Sequence, residues 1–227
     1  MRITILGTRG NIKPSADGYA RHSGILVDRE MLLDLGELAY LDYGPKHVFI
    51  THLHADHAAF LNADVRTNAT VYVPEPTKRF PGARVVSRPV RVNAYRITPI
   101  PTLHSHRTRS VGYVVEGKGR AFFYSSDLVA IEPQHLRRLG RMDLVVTEGS
   151  YIRRGGLVRI DRASGARLGH AGIPDLVELF RSFTERIVIA HFGSWFYKDI
   201  EGSIRKIESF SDGVRVRAAH DGLTLRL

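Results

Sequence analysis

The chain has 227 residues, 43% of them hydrophobic and 25% charged, values that exclude a disordered or low-complexity polypeptide and suffice for a substantial core. Its formal net charge is +10, and 27 of its 33 basic residues are arginine; this points to an anionic partner such as nucleic acid or a phosphorylated substrate, although genome composition or a hot habitat produces the same arginine bias. Cysteine is absent, which excludes disulfides, thiol nucleophiles and thiolate ligands together, so any metal must be held by His, Asp or Glu.

Residues 3–6 are a predicted strand ended by the loop 7–11. Residues 23–28 and 31–34 predict a hairpin across Arg29-Glu30, and 36–43 a short helix stopped by Gly44-Pro45. The apolar strand 47–50 leads into T-H-L-H-A-D-H at 51–57, and 58–61 continue helically. Strands at 70–73, 83–86 and 94–100 are set apart by prolines, and 110–115 with 120–124 form a hairpin around 116–119. Residues 127–139 carry Leu128, Val129, Ile131, Leu136 and Leu139 at helical spacing. Val145-Val146 is a short buried strand, and 173–183 an amphipathic helix led by Pro174. The strand 187–190 runs directly into His191, 199–209 predict a helix, and 214–218 with 223–227 predict a closing hairpin around Asp221-Gly222.

No repeat or linker divides the chain, which therefore reads as a single domain over 1–227. The order of elements predicts two sheets packed together with helices outside. No signal peptide is visible after Met1-Arg2 and no apolar run approaches a membrane span, so a cytoplasmic protein without a membrane partner is expected.

His52, His54, Asp56 and His57 fall in one short turn at the carboxyl end of a predicted strand, where α/β folds keep their sites. Imidazole and carboxylate suit zinc and its first-row neighbours, and these four lie too close together for a chance scatter of core histidines. A helix beginning just after them would favour the Asp56 carboxylate and any bound anion. His104, Asp127 and His191 each follow a further predicted strand. One such histidine is more often a polar edge residue than a ligand; the repeated placement, together with the 52–57 cluster, is what argues for a metal site.

The hexad His52-Leu53-His54-Ala55-Asp56-His57 resembles the H-x-H-x-D-H signature of the metallo-β-lactamase fold hydrolases. The resemblance extends over nearly the whole chain, with Asp34 in L-L-D-L-G, His104, Asp127 in Y-S-S-D and His191 in I-A-H-F matching the other motifs. It implies an α/β fold, the four-layer αββα sandwich, with two divalent metal ions at its upper edge. One would be held by His52, His54 and His104, the other by Asp56, His57 and His191, with Asp127 bridging. Zinc suits these donors best, and manganese or iron also accept them. Two such ions about 3.5 to 4 Å apart share a hydroxide, lower its pKa and clamp both oxygens of an in-line phosphoryl displacement. Asp56 would ligate and also take a proton from that water. Asp34 has no metal-type neighbour and is better suited to orienting a histidine ring.

The stretches V-V-T-E-G-S-Y, R-L-G-H-A-G-I-P-D-L and I-V-I-A-H-F-G-S-W are similar to the late motifs of ribonuclease Z, and His104-Ser105 followed by Gly112-Tyr113 to those of a cyclic phosphodiesterase branch. By that resemblance His170 protonates the leaving oxygen while Glu148 orients and charges it. Without it, His170 is a surface residue at the lead-in to a helix and Glu148 a solvated strand end. Arg107 and Arg109, on the His104 loop, are candidates for the substrate phosphate; Trp195 and Phe196 either stack on a base or pack in the core. The sequence has no insertion long enough for the tRNA-gripping arm of ribonuclease Z, and Ala58-Ala59 stand where relatives often have a glycine. The expected function is a dinuclear metal-dependent phosphodiesterase acting on RNA or a small cyclic or nucleotide phosphodiester. The alternatives are hydrolysis of a carboxyl ester, thioester or lactone, as by glyoxalase II-like or lactonase relatives, and a nucleic-acid-binding protein that keeps the fold without the chemistry. A homodimer is left open.

Overall fold

The computed structural model describes residues 1–162, 164–165 and 167–227. In chain order its strands begin with β1 Arg2–Gly7, β2 Gly24–Val27, β3 Met31–Leu33, β4 His47–Phe49, β5 Thr70–Val73 and β6 Arg84–Val85. They continue with β7 Val90–Val92, β8 Tyr95–Thr102, β9 Ser110–Gly117, β10 Arg120–Tyr124 and β11 Leu144–Gly149. The last five are β12 Leu157–Ile160, β13 Arg167–His170, β14 Arg186–Phe192, β15 Arg215–Ala218 and β16 Thr224–Arg226. Three helices accompany them, α1 Pro133–Leu136, α2 Ile173–Phe180 and α3 Ile200–Glu208. One mixed sheet runs β16-β1-β2-β3-β4-β5-β6, a second runs β15-β14-β11-β10-β9-β8-β7, and β12 and β13 form a separate hairpin.

Alternation along the strands explains why the two sheets stack. Ile3, Ile5, Ile25, Val27, Met31, Leu33 and Phe49 of the first sheet meet Ile97, Tyr113, Val115, Phe122, Leu144 and Val188 of the second in one buried cluster. The intervening residues face outward, and each outer face is covered. Leu26, Leu32, Val48, Ile50, Val71 and Val73 lie under Leu35, Tyr40, Ala58 and Phe60. Val114, Phe123, Val145, Ile187 and Ile189 lie under Ile173, Leu176, Val177 and Phe180 of α2 and Ile207 of α3. The result is the four-layer αββα sandwich of the metallo-β-lactamase fold, although 3₁₀ turns stand for helices on the first sheet. Among the described residues no helix is long and apolar enough to cross a membrane.

Three expectations are corrected. Residues 127–139 are not a helix: only α1 forms, starting at Pro133. Upstream of it the backbone bonds elsewhere: Leu128 N donates to the Glu148 carboxylate and Val129 N to Leu103 O, while the Leu128 and Ala130 carbonyls, which a helical first turn would use, accept from Ala171 N and Leu103 N. The final strands do not pair with each other. β15 lies parallel to β14 and β16 antiparallel to β1, and the Asp221-Gly222 turn hands the chain from one sheet to the other. Asp221 fixes that crossing by accepting from Thr8 Oγ1, Ala20 N and Arg21 N. Finally, the segment after the hexad is a 3₁₀ turn, Ala59–Leu61, not an α-helix, so no helix dipole acts on Asp56.

Candidate metal centre

The strands of both sheets end at one rim, and that rim gathers the predicted ligands. His52, His54, Asp56 and His57 follow β4, His104 follows β8, Asp127 follows β10, and His191 is the last residue but one of β14. They form two groups whose ligand atoms converge: His52, His54, His104 and Asp127, and Asp56, His57 and His191. In the first, His54 Nδ1 lies 3.0 Å from His52 Nε2 and 3.3 Å from His104 Nε2. Asp127 Oδ2 lies 3.8 Å from His52 Nε2 and 3.7 Å from His104 Nε2. In the second, His57 Nε2 and His191 Nε2 lie 3.6 and 3.7 Å from Asp56 Oδ2, and 3.5 and 3.3 Å from Asp127 Oδ1. Asp127 therefore offers one oxygen to each group.

These residues fit metal ions. Tetrahedral zinc with bonds of about 2.0–2.1 Å holds its ligand nitrogens roughly 3.3 Å apart, the edge length seen here. Moreover His57 Nε2 and Asp127 Oδ1 are buried with no hydrogen-bond partner among the described residues, an arrangement that costs stability unless a cation lies between them. Gly10 keeps the space open: a Cβ there would sit 3.1 Å from His191 Nε2.

The ligands are oriented from behind. His57 Nδ1 donates to Asp34 Oδ2 at 2.7 Å, and Asp34 also accepts from Thr51 N, Thr51 Oγ1 and Tyr124 OH. His104 Nδ1 donates to Gly169 O at 2.9 Å, and His191 Nδ1 pairs with Ser23 Oγ at 2.8 Å. Each of these bonds aims Nε2 inward. Asp34, Ser126 and His191 adopt φ values of 62°, 54° and 52°, a left-handed conformation that L-residues hold only when their surroundings impose it. Sequence reasoning missed Ser23, Thr51, Tyr124 and Gly169; their one signal was proximity to strand ends.

Burial pushes the His52, His54 and His191 rings below the ordinary imidazole range. Burial opposes a charge on His57 too, but the carboxylates of Asp127, Asp56 and Asp34 outweigh it and raise that ring well above 6.5. Asp127 is held well below the usual carboxylate range, because His191, His57 and His104 overcome its burial. Neutral rings at His52, His54 and His191 and an ionised Asp127 are the forms in which these groups ligate a divalent cation, and such an ion would displace the proton from His57.

Glu148 and His170 lie beside this centre. Glu148 is 1% exposed, so the reading of a solvated strand end fails. Its Oε2 accepts from His170 Nδ1 at 2.7 Å while Oε1 takes Leu128 N. Burial pushes the His170 ring down, yet the Glu148 charge and hydrogen bond raise it to about 9. His170 is carried by the β12–β13 hairpin, which the sequence did not suggest, and its ring packs against His104 at 4.8 Å between centroids.

A cavity of about 380 Å³ opens over the ligands and is also lined by Gly10, Asn11, Tyr151, His170 and Trp195. Trp195 donates Nε1–H to Gly149 O, whereas Phe196 is buried in the core. Arg107 and Arg109 do not line this cavity. The loop turns them into a neighbouring one, separated by His104.

Fold and site together define a metallo-β-lactamase fold protein whose buried His/Asp clusters suit metal binding. The model of the Beta-lactamase superfamily domain matches residues 41–192, more than half of the chain, and the chain belongs to that superfamily. Among solved structures it is similar to the metallo-β-lactamase fold protein YhfI from Bacillus subtilis, with a TM-score of 0.73 and 16% identity over 99% of this chain and 98% of that one. A diphosphatase from the PhnP family gives a TM-score of 0.71 and 16% identity, covering 100% and 97%. The short form of human tRNase Z gives 0.64 and 18% identity, covering 100% and 99%. At these identities the likeness is one of fold. No curated protein sequence matches the chain.

Proposed function

We propose that the protein is a dinuclear metal-dependent phosphodiesterase, acting on RNA or on a small cyclic or nucleotide phosphodiester, with zinc as the best-suited metal. The observation that carries this reading is the Glu148–His170 pair at the wall of the metal cavity. Divalent ions held by His52, His54 and His104 and by Asp56, His57 and His191, with Asp127 between them, would supply Lewis acidity and an activated water.

The chain's own groups do the proton work. Asp56 accepts the proton of the attacking water. His170, kept cationic by Glu148, donates from Nε2 to the oxygen that leaves phosphorus and is recharged from solvent. Glu148 is tied at both oxygens, by Leu128 N and by His170 Nδ1, and so fixes the orientation of the ring. An alkoxide is a poor leaving group, and a cationic acid beside it is the needed complement. The net charge of +10 favours an anionic phosphodiester over a neutral ester, thioester or lactone. The tRNase Z and PhnP-family diphosphatase structures on the same fold make P–O chemistry compatible with it.

The test is a parallel assay of precursor tRNA, bis-p-nitrophenyl phosphate, a cyclic nucleotide and a lactone. Turnover of the phosphodiesters and neglect of the lactone are expected; the reverse order sinks the proposal.

A further inference from the structure

His104 forms a ridge between two cavities. On one side lies the metal cavity; on the other is a larger one, about 640 Å³, at the open side of the sandwich where β8 presents Pro99 and Pro101 and Val86 follows β6. The ridge is locked to the hairpin, since Gly169 N donates to His104 O at 2.7 Å and His104 Nδ1 to Gly169 O at 2.9 Å. Along that hairpin Arg167 and Leu168 line the larger cavity and His170 the smaller. One wall therefore continues from the proposed acid into the second chamber.

The chamber has two kinds of surface. Pro101, Leu103, Val111 and Leu168 give it an apolar wall, and Arg107, Arg109 and Arg167, all three exposed, also line it. None of the three arginines has an ion-pair partner among the described residues. The one carboxylate in the lining, Glu75, is engaged by Thr108 Oγ1 at 2.7 Å and Arg109 N at 3.1 Å. Three unpaired guanidinium groups around a partly apolar cavity fit a ligand with a flat apolar ring system and a phosphate.

We infer that the larger cavity is a second substrate subsite, which takes a phosphorylated nucleoside on the leaving-group side of the scissile phosphodiester. The inference rests on the proposed phosphodiesterase activity for the direction of the substrate: the leaving oxygen faces His170, and the hairpin carrying His170 leads into the arginine-lined chamber. It assigns Arg107, Arg109 and Arg167 to binding the terminal phosphate of the leaving nucleoside, not to the reacting phosphorus.

The experiment compares the metal-loaded protein with the Arg107→Ala/Arg109→Ala/Arg167→Ala variant on two substrates. One is a dinucleotide carrying a terminal phosphate on its leaving nucleoside; the other is bis-p-nitrophenyl phosphate, whose leaving group carries no phosphate for the three arginines to bind. Adenosine monophosphate binding is followed by calorimetry alongside. The variant is expected to raise KM for the dinucleotide about tenfold more than for the nitrophenyl ester and to weaken adenosine monophosphate about tenfold. Equal losses on both substrates, or unchanged nucleotide affinity, would overturn the subsite. If the unmutated protein cleaves neither substrate, the phosphodiesterase reading fails, and the nucleotide affinity of the two proteins alone decides whether the chamber binds a phosphorylated nucleoside.

Discussion

The two halves of the metal centre share Asp127 but are built differently. The half containing His57 is buried; it holds Asp56, and Asp34 stands behind it with Thr51 and Tyr124 attached. The half containing His54 has three imidazoles and no carboxylate besides the shared one, and His54 is only partly buried. One half thus brings a carboxylate of its own, Asp56, and is backed by Asp34, whereas the other has only imidazoles beside the shared Asp127; both line the cavity that His170 borders. With an ion in each half, such asymmetry would let one be held more firmly than the other.

The most severe way to break the comparison is to remove what the halves share. Asp127→Ala should cost both ions and leave no measurable turnover; elemental analysis showing two metals per chain in this variant would deny the bridging role. Next comes the acid. His170→Ala should slow an alkyl phosphodiester by roughly 10²–10⁴-fold and a nitrophenyl ester far less, with the metal content unchanged. Its titration has a definite sign: a raised imidazole is protonated below about 9, so activity that needs the acid is lost as pH rises through that value. Glu148→Gln removes the group that raises it, and the alkaline limb of the pH–rate profile should move to lower pH. An unmoved limb would remove His170 from that step.

Asp34→Asn tests the asymmetry itself. Loss of the carboxylate behind His57 should weaken metal binding in that half by about 10–100-fold and leave the His54 half nearly untouched, which competition with a chelator would resolve as one shifted step. The smallest effect belongs to the scaffold. Asp28 accepts from Arg2 N, Tyr95 OH and Lys118 Nζ and so ties the first sheet to the second. Burial opposes its ionisation, but those bonds hold it at about 2 against an ordinary 3.8. Its contribution is therefore present above 3.8 and lost as pH falls through about 2. Asp28→Asn should lower stability by about 1 kcal/mol at neutral pH without altering metal content; denaturant titration and elemental analysis check both.

Legibility in the sequence followed distance along the chain. The hexad was readable because four donor side chains lie within six residues, and Asp34, His104, Asp127 and His191 because each stands where a recognisable apolar strand stops. What failed was whatever depended on partners remote in sequence. Leu128, Val129 and Ile131 have helical spacing, yet the backbone of 128–130 is drawn to Glu148 and Leu103, which no local pattern announces. The β12–β13 hairpin exposes Val158 and Ile160 and carries the scattered arginines Arg159, Arg162 and Arg167, so it lacks the alternation that marks a half-buried strand. Arg107 and Arg109 do lie on the His104 loop, but only the fold reveals that they line a different cavity from the clustered ligands.

The central claim is that one buried carboxylate joins two unequal metal sites, and stepwise zinc titration of the metal-free chain tests it most directly. Two ions per chain should bind, the first more tightly than the second, and Asp34→Asn should shift the tighter step. Saturation at a single ion, or two steps that Asp34→Asn leaves untouched, would contradict it.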